Sequence, residues 1–423
     1  MLLNNSLIVG VDVHRRTNVV QVMDGQGQVL TTSLVVSNNR QGTAHLADCL
    51  AEAARRGNFT AIHIAAEATG AYWLPFFCQL QQEPRLAAWP LTLYPFNPRV
   101  VHNFRKAFVD LDKVDLNDAH LVAERLRFGR NLPAPFVMDE QFLPLRSLTR
   151  YRFHLVHELV RVKSYCTYLI YLKSSEYTAD RDWQPFSDVF GATSRAVLRD
   201  FPSMDAIIEM PFDELVEWLD VKGKRRFADP EANARKLLQV AEDSYRLPTP
   251  WLESVNTILG LNLRHLKTLE NLIQRVDTAI ADEMEAIPNT LTTIPGIGPV
   301  IAAGIIAELG DLARFDYDQK KVASYAGLKW SRRQSGDFLA EDTPLKRQGN
   351  RFLRYYFCEA AHLVRMNDAE YNAFYTKKYN ETPKHKHKRA VVLTARKLVR
   401  LVVRLLTTNQ PFRVRRVDSD EAT

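Results

Sequence analysis

Cysteine is scarce in this 423-residue sequence: Cys49, Cys78, Cys166 and Cys358 lie far apart, with no C-x-x-C pair. That spacing supports neither a disulfide framework nor a zinc knuckle, and a reducing compartment is the default. Long hydrophobic runs are also missing. The longest uncharged apolar stretch, residues 294–307, is interrupted by three glycines and two prolines and falls short of the roughly twenty residues a membrane span needs. The opening MLLNNSLIVGVDVHRR has neither the basic start nor the small-residue cleavage site of a signal peptide, so a cytoplasmic location is expected and no membrane partner. Internal repeats and low-complexity tracts are absent. With 46% hydrophobic and 25% charged residues, the chain is neither disordered nor fibrous, and its length predicts about two to three domains.

Acid is missing from one stretch. Between residues 384 and 416 there are eleven Lys or Arg and no Asp or Glu, whereas the whole chain carries a net charge of +7. The rest is therefore slightly acidic, and the basicity belongs to the C-terminal segment. Lys384, Lys386, Lys388 and Arg389 are candidates for a polyanionic partner there. The competing reading of such a run is a solvated helix face that binds nothing.

Residues 7–130 read as an α/β unit. The near-continuous apolar run at 7–13 predicts a central strand. Strands at 18–23 and 29–36 flank Asp24-Gly25-Gln26-Gly27, a hairpin signal. A helix at 41–56, a buried strand at 60–66, a helix at 71–82, a short strand at 91–94 and a helix at 117–128 follow. Three antiparallel strands and then alternating helices and strands is the order of a ribonuclease-H-like domain, an analogy until the acids are considered. Residues 140–176 and 261–284 each carry apolar residues at three- and four-residue spacing, which predicts two long amphipathic helices forming an antiparallel coiled-coil arm. Between them, 177–250 reads as a small inserted helical subdomain. The expected organisation is thus a domain at 1–135, the arm at 136–289, a mainly helical domain at 290–410 and a flexible tail at 411–423.

That last domain opens with Thr293-Ile294-Pro295-Gly296-Ile297-Gly298 before an Ala/Ile-rich helix. A glycine hairpin leading into a helix N-terminus presents backbone N–H groups suited to phosphate, so Gly296 and Gly298 are candidate nucleic-acid contacts of helix-hairpin-helix type. An ordinary turn explains the same residues equally well.

Four carboxylates stand out. Asp12 interrupts an apolar strand, LIVGVDVH, where an acid is costly unless paired, hydrogen-bonded or metal-bound. Glu67 closes the second apolar run, AIHIAAEATG. Asp115 and Asp118, in DKVDLNDAHLVAERL, are three apart at a helix start and can share one face. Delivered from two strands and a helix, the four could hold two divalent cations, and an all-oxygen set favours Mg²⁺ or Mn²⁺. Asp118 as a helix-start acid and Asp115 as a cap are the alternatives, with Asp110 and Asp112 as neighbours of equal type.

These residues resemble a known family. VDVH with Asp12, EATGAYW with Glu67, Asn97-Pro98 and DKVDLNDAHLVAERL are similar to the four-acid motif of DEDD-type insertion-sequence transposases, which include Piv-type DNA invertases and bridge-RNA-guided recombinases. IPGIGPVIAAGIIAELGDLARF, SYAGLKWSRRQSG and LKRQGNRFLRYYFCEAA match the family's second half in order. The resemblance implies a RuvC-like nuclease domain, a coiled coil and a domain bearing a nucleophilic serine, here Ser335 in Arg332-Arg333-Gln334-Ser335-Gly336. Without the resemblance Ser335 is a loop serine no better than Ser331 or Ser324. It further implies a phosphoserine intermediate, DNA as substrate, a structured guide RNA as partner, a homodimer assembling to a tetramer and association with the nucleoid. Arg332, Arg333, Lys346, Arg347 and Arg354 would neutralise phosphate nearby. The chain departs from the family at Lys329-Trp330, where a proline often follows AGL, at Val114 in place of a threonine, and in the length of the 177–250 insert. Rival readings are a site-specific invertase, a metal-dependent junction nuclease that needs the acids and not Ser335, an actin-like ATPase lacking its further glycine loops, and a non-catalytic nucleic-acid-binding protein.

Overall fold

The computed structural model describes residues 5–31, 34–108, 115–178, 183–330, 334–335, 338–339, 345 and 348–413. The chain divides into two compact units, 1–140 and 141–423.

In the first unit, β1 (Ser6–Val13), β2 (Thr17–Met23) and β3 (Leu34–Ser37) lead into α1 (Arg40–Arg56). Then come β4 (Ala61–Glu67), α2 (Trp73–Gln81), β5 (Leu91–Phe96), α3 (Pro98–Arg105) and α4 (Asp115–Arg127). The sheet order is β3-β2-β1-β4-β5, with β1 antiparallel to β2 and parallel to β4. The parallel pairs β1–β4 and β4–β5 are buried on both faces by helices, as parallel pairing requires. Leu7, Val9 and Val11 join α1 and α2 in one core, while Ile8 and Ala65 join α3 and α4 on the opposite face. This alternation along β1 puts Gly10 and Asp12 on the α4 side.

The expected strand at 29–36 is shorter. Among the described residues, Leu34–Ser37 alone pairs as a strand with β2, and Val29 makes a single bridge to Met23. The Asp24 side chain holds the turn by accepting hydrogen bonds from the backbone N–H groups of Gln26 and Gln28, 2.9 Å each. Backbone bonds from Asp24 N–H to the Gln28 carbonyl and from Leu30 N–H to the Val22 carbonyl continue the hairpin as far as residue 30. Helix α3 was not anticipated. Asn97 caps it by accepting from Arg99 N–H, and Pro98 sits at the first helical position, where its missing donor costs nothing.

The second unit is helical. Helix α5 (Phe142–Lys173) is followed by α6 (Ala192–Asp200), α7 (Asp205–Ile208), α8 (Phe212–Lys222), α9 (Pro230–Asp243) and α10 (Thr249–Glu285). Helices α5 and α10 are antiparallel: Arg152 near the start of one pairs with Asp277 near the end of the other at 2.5 Å. At the opposite end Lys173 donates to Asn256 Oδ1 at 2.7 Å. Helix α10 begins twelve residues before the expected 261, because Asn262 and Gly260 do not break a helix whose apolar face continues through Val255 and Leu259.

Helices α11 (Pro299–Leu309), α12 (Gln319–Tyr325), α13 (Arg351–Asn367), α14 (Ala369–Asn380) and α15 (Lys386–Thr408) complete the unit, with the two-residue strands β6 (Gln334–Ser335) and β7 (Phe338–Leu339) between α12 and α13. The arm expected at 136–289 is rooted in this region. Leu145 and Leu155 of α5 and Val276 and Ile280 of α10 share one core with α11, α13 and α15. Glu308 of α11 is 1% exposed and accepts two hydrogen bonds from Arg150 of α5, at 2.6 and 2.9 Å. The far halves of α5 and α10 bury Ile170 and Leu259 in a separate core with α6–α9.

Candidate active site

Asp12 lies in β1 opposite Val19, two residues from Gly10 and so on the same face. A Cβ built on Gly10 would lie 2.2 Å from the Ala119 carbonyl oxygen and 2.3 Å from the Ala123 nitrogen. Only glycine lets the α4 backbone approach β1 so closely, and this approach brings the first turn of α4, with Asp115 and Asp118, towards Asp12. Glu67 ends β4, the parallel neighbour of β1, and its Oε1 accepts from the Thr69 hydroxyl at 2.7 Å.

Of the four acids predicted from sequence, Asp12 and Asp115 come within ligand distance of each other, and Asp118 and Glu67 lie near enough to act on the Asp12 carboxyl. Burial pushes the Asp12 carboxyl above its usual range; the nearby His14 imidazole opposes this, and the negative charges of Asp118, Asp115 and Glu67 raise it further. His14 was not foreseen as part of the site, although its position two residues after Asp12 in VDVH places it on the same side of the strand. Its Nε2 lies 3.2 Å from Asp12 Oδ2 and 3.4 Å from Asp115 Oδ2. That nitrogen is buried and lacks hydrogen-bond geometry to either oxygen. Donor atoms of Asp12, His14 and Asp115 all lie within 4.8 Å of one another.

Arg105, at the end of α3, pairs with Asp118. It too was missed, because its partner lies thirteen residues further along the chain, on α4. Its Nη1 is buried without a hydrogen-bond partner. The site thus contains one buried imidazole nitrogen without a hydrogen bond, 3.2–3.4 Å from carboxylate oxygens, a mixed N/O donor set suited to a divalent cation. Asp110 and Asp112 lie outside the described residues.

In the second unit, Gln334 pairs with Leu339 and Ser335 with Phe338, so that only Gly336 and Asp337 separate Ser335 from its strand partner. Trp330 bridges to Leu345, and Asn350 N–H donates to the Tyr325 carbonyl at 2.6 Å, which closes the base of the segment. Asn350 also caps α13 and donates to Glu308 Oε2 at 2.6 Å. Arg332, Arg333, Lys346 and Arg347 lie outside the described residues; Arg354, half-buried on α13, donates to the Ala326 carbonyl at 3.4 Å.

Gly296 has a packing role of its own. At φ +91° its Cα faces α13, where a Cβ would meet the Leu363 carbonyl at 2.8 Å. Gly298 is exposed at the N-cap of α11, with open space around it. Lys384, Lys386 and Lys388 are exposed and Arg389 is half-buried, at or just before the start of α15. The rest of that helix is not a loose basic tail: Leu398, Val399 and Val402 are fully buried in the core. Of the tail expected at 411–423, residues 414–423 lie outside the described residues.

Residues 9–170 match the family model of DEDD transposases of IS110, described as a transposase. Residues 289–376 match the transposase family IS116/IS110/IS902. Among curated proteins, the chain is 26% identical over 319 residues to the insertion element IS116 uncharacterized 44.8 kDa protein of Streptomyces clavuligerus, covering 74% of this chain and 76% of that one. It is 24% identical to the pilin gene-inverting proteins of Moraxella lacunata and Moraxella bovis, each match covering 89% of both chains.

Proposed function

As a member of the IS116/IS110/IS902 transposase family, and hence a DNA recombinase, the chain, we propose, cuts and rejoins DNA strands at an insertion sequence through a metal-dependent acid cluster and a serine nucleophile. Its first unit is RuvC-like, its antiparallel helices form a coiled-coil arm, and its second unit delivers the serine. The observation that carries this reading is the convergence of Asp12, Glu67, Asp115 and Asp118 from β1, β4 and α4. These carboxylates would hold a Mg²⁺ or Mn²⁺ pair, with His14 beside Asp12 and Asp115. Bound there, the cations would supply Lewis acidity for phosphodiester chemistry.

The Ser335 hydroxyl attacks phosphorus, the phosphorus–deoxyribose oxygen bond breaks, and the departing oxygen takes up a proton. A phosphoserine results, and attack on it by a DNA hydroxyl restores the serine and reseals a strand. Bond energy is conserved, so no nucleotide triphosphate is consumed. The choice of Ser335 follows from the motif resemblance, as does a structured guide RNA selecting the DNA. In a dimer assembling to a tetramer, one subunit's serine could serve another's acids.

The test is strand cleavage by Asp12→Ala, Glu67→Ala, Asp115→Ala and Asp118→Ala proteins. Each should lose cleavage while remaining folded and DNA-bound. A variant with near wild-type cleavage removes that residue from the metal ligands. A second reading, site-specific inversion, is favoured by the two pilin gene-inverting relatives, whose similarity spans 89% of the chain; it uses the same residues and differs in the arrangement of the DNA sites.

A further inference from the structure

Helix α14 carries an aromatic surface beside the start of α15. The Tyr375 and Tyr379 rings, one turn apart, have centroids 6.0 Å from each other. His387 lies 5.9 Å from Tyr375 and shares a 2.7 Å hydrogen bond with its hydroxyl. Together with Thr376 these three rings line an open groove of about 420 Å³. Cations surround it. The Arg365 guanidinium sits 4.3 Å from the Tyr375 ring centroid, and Lys386 Nζ 5.7 Å from that of Tyr379. The nearby acids are largely engaged: Glu381 pairs with Lys378, and Glu370 with Lys397. Arg365 and Lys386 form no ion pair among the described residues.

We infer that this groove is a stacking site for an unpaired base of a single-stranded nucleic acid, with Tyr379 and Tyr375 offering ring faces and Lys386 and Arg365 meeting the flanking phosphates. The chemistry follows from the combination. A purely electrostatic surface has no need of exposed rings, and Tyr379 is 38% exposed. Rings flanked by cations that have no carboxylate partner among the described residues, Arg365 holding only a 3.3 Å hydrogen bond with His362 Nδ1, match a strand whose bases are unstacked and whose backbone is charged, whereas duplex bases are already stacked on each other. The eleven basic residues from 384 to 416 supply the long-range attraction. The inference rests on the reading that the chain binds nucleic acid, but not on the family motifs: the second family match ends at residue 376, before Tyr379, Lys386 and His387.

The test is binding of the full-length protein to labelled oligothymidylate, oligouridylate of equal length and a DNA duplex, followed by fluorescence anisotropy over a range of salt. Tyr379→Leu keeps apolar bulk and removes the ring. It should weaken single-strand binding by about tenfold, leave the slope of log affinity against log salt unchanged and spare duplex binding. Tyr379→Phe should bind as wild type does, and Lys386→Gln should reduce the salt slope by about one. A larger loss with the deoxyribose strand identifies DNA as the occupant, and a larger loss with the ribose strand identifies RNA. Wild-type single-strand affinity in both Tyr379→Leu and Tyr375→Leu, with the fold intact, overturns the stacking site while leaving the chain a nucleic-acid binder. Failure of the wild-type protein to bind any of the three probes overturns the broader reading and this site with it.

Discussion

Gly10 of β1 and Ala119 of α4 are in backbone contact, so close that even a methyl group on the glycine would strike the Ala119 carbonyl oxygen at 2.2 Å. Gly10→Ala should push α4 outwards and separate Asp115 and Asp118 from Asp12 while leaving all four acids in the sequence. We expect a loss of about 1–3 kcal/mol in stability and a marked fall in Mn²⁺ affinity by calorimetry. Wild-type metal affinity in this variant would show that the acids do not depend on that approach.

Asp12 is held above the ordinary carboxylate range by burial and by its acidic neighbours. Its contribution therefore favours the folded state at low pH and is lost as pH rises through its folded pKa. At neutral pH and without metal, Asp12→Asn should stabilise the protein, by an amount on the order of 1 kcal/mol. Added Mg²⁺ or Mn²⁺ should raise the wild-type melting temperature and leave that of the variant unchanged. Thermal melts in chelator and in metal check both halves.

Ser335→Ala should abolish covalent protein–DNA adducts on denaturing gels and retain metal and DNA binding, since the serine carries no charge and belongs to the other unit. Mixing Ser335→Ala with Asp12→Ala subunits should restore part of the activity if active sites are shared between subunits. An adduct formed by Ser335→Ala would end the serine assignment; efficient cleavage by wild type without any adduct would favour hydrolysis.

Glu308 is buried and holds both Arg150 and Asn350. Glu308→Ala leaves the Arg150 guanidinium, whose side chain is 43% exposed, without its carboxylate and removes a partner of the α13 cap. A destabilisation of about 1–3 kcal/mol is expected, read as a lower midpoint in urea, with metal binding in the first unit preserved.

Much of the first unit was legible because its strands are apolar runs bounded by turn residues, and because acids are conspicuous in such runs. Asp12 and Glu67 stand out for that reason. Less visible were residues whose role depends on chain crossings. Gly10 looks like any strand glycine until α4 is laid across it, and Arg105 gains its meaning only from Asp118. His14 was within reach of the period-two rule, yet an imidazole beside a strand end carries no distinctive signal of its own. In the second unit the two long helices were readable from spacing. The start of α10 was not, since its first turns mix exposed Trp251 and Ile258 with buried Val255 and Leu259, which blurs the apolar stripe. The basic run of 384–416 is plain in the sequence, but the burial of Leu398, Val399 and Val402 between its charges shows that α15 serves as core and as charged surface at once.

The two hydrophobic cores of the second unit meet along α5 at Leu159 and Val162, which among the described residues are the side chains packed against both. So narrow a junction limits how far disturbance at one end is felt at the other. A substitution among α6–α9 should therefore lower the stability of their own core and spare the one that encloses α11, whose residues Ala302 to Leu309 are all buried.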